Sequence, residues 1–177
     1  LTLLQAFLQY GRFLVRDGHA ADGFQALQEA LRLSKKHHVT SAVGALNRLM
    51  GDLSREQGRM DIAVDWYERA QRHAEARGDK LGSVEAHASL ARLAGDPDSP
   101  LHVAAAAVHL DAAREGANEL NFVVDDVLFA EEAMAQACLR AGDRGRASGL
   151  LGSALNGWTQ LRVDAQVQRL TQVRSSL

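Results

Sequence analysis

No stretch of this chain alternates apolar and polar residues as a half-buried strand requires; apolar positions recur instead at steps of three and four. That spacing predicts helix throughout. The helices are punctuated at Gly- and Asp-bearing breaks: DGHA at 17–20, QGRM at 57–60, RGDK at 77–80, GDPDSP at 95–100, REGAN at 114–118 and AGDR at 141–144. Glycine ends a helix because it adopts the left-handed cap without steric cost, and aspartate or serine begins one by accepting orphan amide hydrogens. Both prolines, Pro97 and Pro100, fall in GDPDSP, where Ser99 before Pro100 forms an N-cap and first-turn pair that predicts a helix start. At the C-terminus Val163, Val167, Leu170, Val173 and Leu177 form one apolar stripe, with Gln166, Gln168, Arg169 and Arg174 toward water. This predicts a closing helix over 158–177.

The pattern repeats. A shift of 40 residues places Gly11 over Gly51, Gly18 over Gly58, Gly23 over Ala63, Leu27 over Tyr67 and Ala30 over Ala70. A further 40 residues bring Ala91 to the Gly51 place, and Ala135, Gly142, Ala147, Leu151 and Ala154 keep the same internal spacings in a last copy. Four helix pairs follow, over about 2–37, 40–77, 80–116 and 119–157, ahead of the closing helix. The third copy is the weakest. Its closing helix fits two registers, one on Ala105, His109 and Ala112, the other on Ala106, Leu110 and Ala113.

Small residue, turn glycine, then alanine, large residue and alanine along the second helix is a pattern that resembles the tetratricopeptide repeat family. The resemblance covers nearly the whole chain. Small residues let paired helices approach to about 8–10 Å, and the large residue fills the space between them. The resemblance implies an all-α fold, a right-handed superhelical solenoid of four antiparallel helix pairs with a C-terminal capping helix, forming a single domain over 1–177. The repeats are longer than the family's usual length of about 34 residues. In this they are similar to the long-repeat branch found in bacterial regulators and signalling ATPases.

Composition adds limits. With 46% hydrophobic residues and a formal net charge of -2 the chain is globular in character. Its cations are dispersed and nearly all arginine, Lys35, Lys36 and Lys80 being the lysines, which argues against direct binding of nucleic acid or an anionic membrane. Cys138 stands alone, so no intrachain disulfide or cysteine-based zinc site is available, and a cytoplasmic location is expected. No apolar run reaches the roughly 18 residues of a membrane span. The chain opens on Leu1, and Leu3 and Leu4 enter the apolar pattern at once, which points to a segment of a longer protein.

Candidate chemistry concentrates, to the eye, in residues 58–79, GRMDIAVDWYERAQRHAEARGD. The repeat assigns Ala63, Tyr67 and Ala70 to packing, with Trp66 at the edge of the same face. Asp65 with Arg69 and Glu68 with Arg72 then read as acid-to-base pairs four apart, each contributing a few tenths of a kcal/mol. The histidines are scattered without H-E-x-x-H, and SGLLGSALNG at 148–157 lacks the lysine and spacing of a phosphate loop. No catalytic, cofactor or metal site is expected, and an enzyme is not.

The family resemblance points elsewhere, to the first helix of each pair, whose inner positions commonly face a bound peptide. Carried onto this chain, these positions include Arg12, Arg16, Arg48, Asp52, Arg55, Arg92, Glu132, Gln136 and Arg140. Guanidinium groups grip carboxylates in bidentate fashion, so the implied partner is a protein or peptide, partly acidic. The alternative is that the arginines pair with acids inside the same groove. The lysine and asparagine clamp of chaperone-tail binders is absent. Two functions are therefore expected in competition: a protein-interaction module, or an effector-sensing or autoinhibitory segment of a larger bacterial transcription regulator or signalling ATPase.

Overall fold

The computed structural model describes residues 19–176 together with Ala6, Gln9, Tyr10, Gly11, Phe13 and Leu14. The six earlier residues are helical, apart from which eight α-helices follow: α1 Ala20–Lys36, α2 Val43–Glu56, α3 Met60–Arg77, α4 Lys80–Arg92, α5 Val103–Leu120, α6 Asp125–Arg140, α7 Arg144–Gln160 and α8 Asp164–Ser175. A short 3-10 turn, Leu93–Gly95, follows α4. Among the described residues there is no strand, and the all-helical expectation holds. None of the described helices is long and apolar enough to cross a membrane. The chain divides into two compact units, Leu1–Gly82 and Ser83–Leu177.

In the first unit Leu27, Ala30, Leu46, Met50 and Leu53 form a fully buried core, flanked by Phe24, Leu31, Leu49 and Trp66. Removing a leucine or methionine of this size from water stabilises the unit by about 1.5–3 kcal/mol. The core closes because glycine permits it. A Cβ on Gly51 would lie 2.5 Å from Tyr67 Cδ1, and one on Gly11 would lie 2.6 Å from Leu27 Cδ2. The same small-under-large contact thus recurs at the sequence shift of 40 residues. Beyond the core, α3 is tied to the turn before α2: His73 Nε2 meets the Thr40 carbonyl at 2.8 Å and Arg77 donates to Thr40 Oγ1 at 2.6 Å.

The second unit is built on a larger core, including Ala91, Ala106, Leu110, Ala113, Met134, Ala135, Leu151, Ala154, Trp158 and Leu170. Of the two registers for the third copy, Ala106, Leu110 and Ala113 are the buried set. Two expected breaks are corrected. REGAN does not end a helix: α5 runs through it to Leu120, and Gly116 is the seat of Val84, whose Cγ2 would lie 2.6 Å from an added Cβ. Nor does a helix start at Ser99. Ser99 Oγ accepts from the Leu101 amide at 3.2 Å and so closes a turn, and α5 begins at Val103 after an extended His102.

The aspartate caps are found as expected at Asp143, which accepts from the Arg146 amide at 2.9 Å, and at Asp79, which accepts from the Gly82 amide at 2.9 Å. The closing helix is shorter than 158–177. Residues 158–160 complete α7, a turn with Arg162 in the left-handed region intervenes, and α8 begins at Asp164. Trp158 is drawn into α7 by its burial against Phe129, edge to face at 4.9 Å between ring centres. On α8 Leu170 is buried, Val163 before it and Val167 pack partly against the core, and Val173 is exposed; Leu177 lies outside the described residues.

Candidate functional site

On α2, Arg48, Asp52 and Arg55 follow one another at steps of four and three and therefore share a helix face. All three are half-buried, with Nε of both arginines shielded from water. Asp52 is held: its Oδ1 accepts the Tyr67 hydroxyl at 2.8 Å, one residue from where the Tyr67 ring covers Gly51. The stripe is thus fixed by the same residue that sets the approach of α3 to α2. Arg12 and Arg16, the corresponding positions of the first copy, lie outside the described residues.

In the second unit the expected groove residues divide. Gln136 is exposed. Arg140 donates to the Ala94 carbonyl at 2.7 Å and so clamps the 3-10 turn onto α6. Arg92, at the end of α4, is half-buried with a shielded Nε. Glu132 is buried, and both its oxygens are used within the unit: Oε1 accepts the Trp158 indole N–H at 2.7 Å, and Oε2 accepts from Arg169 of α8. Its cationic partner comes from the closing helix.

Beside it stands Glu131, 2% exposed, whose Oε1 accepts from Arg114 Nη2 at 2.6 Å, Arg114 Nε at 2.8 Å and Ser153 Oγ at 2.7 Å. Sequence reasoning did not single out Glu131. The available signal was LFAEEAMA at 128–135, two adjacent acids enclosed on both sides by apolar and small residues. A second unforeseen contact joins His87 of α4 and His109 of α5, whose Nδ1 atoms are 3.0 Å apart. No spacing rule announces a pair 22 residues apart.

In residues 58–79 the packing expected of Ala63, Tyr67 and Ala70 is found, as is the Glu68 pair with Arg72, whereas Arg69, expected to pair with Asp65, stacks on Trp66 instead. Ala63, Tyr67, Ala70 and Ala74 are buried, Glu68 pairs with Arg72 at 3.2 Å, and the Arg69 guanidinium lies 4.6 Å from the centre of the Trp66 ring. Cys138 is buried; loss of hydration pushes its thiol up, a shift that nearby Arg146 only partly opposes. Among the described residues no group of three or more His, Cys, Asp or Glu is disposed to hold a metal ion. No protein-family model and no curated protein matches the chain.

Proposed function

We propose that the chain is a tetratricopeptide-like binding module whose first helices carry an extended, partly acidic peptide or protein segment. In this reading the helix pairs stack as a right-handed superhelical solenoid, and α2 contributes its Arg48, Asp52 and Arg55 stripe to the concave face. The recurrence of one small-under-large contact at Gly11 with Leu27 and at Gly51 with Tyr67 supports the repeat. The single observation that carries the binding role is the α2 stripe itself: Arg48, Asp52 and Arg55 share one helix face, and Asp52 accepts the Tyr67 hydroxyl from α3. The formal charge of that stripe is positive and Tyr67 anchors its helix, a sign and a rigidity that suit an acidic segment.

Glu132 and Arg140 have structural tasks within α6 to α8 and are not assigned to the partner in this reading. Selection from a displayed library of extended peptides tests the proposal. Enrichment of Asp and Glu at recurring positions is the expected result. A library yielding no binder, or binders without acidic residues, contradicts it.

A further inference from the structure

The second unit contains a cavity of about 360 Å³ between the C-terminal part of α5, the start of α6 and the end of α7. Its size lies within the range of about 300–1,000 Å³ usual for small-molecule sites. One wall is apolar, with Val127 and Leu128, and Phe122 stands half-exposed at the rim. The other wall contains Arg114, Glu131 and Ser153.

Glu131 is the unusual member. Its Oε1 is saturated by Arg114 and Ser153, while its Oε2 is buried and accepts no hydrogen bond. Buried polar atoms are almost always paired, because leaving one unpaired costs roughly 1–3 kcal/mol. Arg114 is shared between two carboxylates, Glu131 and the more exposed Asp111 at 4.0 Å, so the three groups together have one excess negative charge. Oε2 is shielded from the cavity as the side chain stands, and a single positive donor that the Glu131 carboxylate turns to meet there completes both the hydrogen bonding and the charge.

We infer that this cavity binds a small molecule with a primary ammonium group on an apolar body, the ammonium donating to Glu131 and the body lying against Val127 and Leu128. The site is built from residues of the second unit alone and does not depend on the peptide-binding reading. A neutral amide in place of the ammonium brings one donor but no charge, and a purely apolar molecule leaves Oε2 as it was.

The test uses the full 177-residue chain and two probes, phenethylamine and its N-acetyl derivative, followed by two-dimensional NMR titration. Phenethylamine is expected to bind saturably, moving the amide signals of Glu131 and Ser153, with the N-acetyl form weaker by about tenfold or more. Glu131→Gln is expected to weaken the amine by a similar factor. Because that change also disturbs Arg114, the exposed Asn156 at the cavity provides a second variant: Asn156→Phe occupies the space and abolishes binding without touching the core. No saturable shift in the wild-type chain overturns the inference. So does equal binding of the acetylated probe, or undiminished amine binding by folded Glu131→Gln or Asn156→Phe.

Discussion

The Tyr67 hydroxyl donates to Asp52 at 2.8 Å while the Tyr67 ring lies against Gly51, so one buried side chain ties α3 to α2 at two adjacent positions. Replacing Gly51 by alanine forces a methyl group into the ring and is expected to destabilise the protein by about 1–3 kcal/mol. Tyr67→Phe keeps the ring and removes the hydrogen bond, at a cost of about 0.5–1.5 kcal/mol. Urea denaturation midpoints at unchanged slope measure both. Tyr67→Phe costing as much as Gly51→Ala contradicts this division of labour.

Glu132 joins α6 to Trp158 of α7 and to Arg169 of α8. Glu132→Ala strands a buried indole N–H and is expected to cost about 1–3 kcal/mol. Arg169 is nearly half exposed, so Arg169→Ala should cost less than about 1 kcal/mol. Near-ultraviolet circular dichroism distinguishes the effects, because only the first change removes a direct contact to the Trp158 ring nitrogen. Equal losses from the two variants refute the ranking.

Burial raises the Cys138 thiol above its ordinary value. A group raised in the folded state gives stability that is whole below the unfolded thiol value, about 8.5, and is lost as pH rises through the folded value. Native Cys138 should therefore react slowly with a thiol reagent at pH about 8 and rapidly once urea unfolds the chain. Fast labelling of the native protein contradicts this.

The Nδ1 atoms of His87 and His109 are 3.0 Å apart, which requires one to donate and the other to accept. With both rings neutral, the two must be opposite tautomers, one protonated at Nδ1 and the other at Nε2. Long-range nitrogen-15 correlation spectra at pH about 8, above the ordinary histidine range, read the tautomer of each ring. Finding both as the Nε2–H form excludes the bond.

What the sequence conveyed was steric. Gly51, Ala63, Tyr67 and Ala70 announce their roles because close packing restricts which sizes fit, and the restriction survives in one dimension. Gly116 shows the limit of that logic: a glycine that seats Val84 inside α5 has the same letter as one that ends a helix. The third register stayed open because alanines run through 104–107 and 112–113, so either face looked small enough. Polar contacts were less legible still. Glu132 resembles a groove residue until Trp158 and Arg169 arrive from helices 26 and 37 residues away, and the apolar residues around Glu131 signal burial but not the cavity it lines.

Arg48→Glu together with Arg55→Glu, assayed against an acidic peptide enriched from the library, tests the central claim most directly. Both side chains are half-buried on α2, so circular dichroism and the melting temperature of the double variant are recorded alongside the affinity. The account predicts a folded variant that binds the peptide more weakly by about tenfold or more. A folded variant that binds it as tightly as the wild-type chain contradicts the assignment of the α2 stripe to a partner.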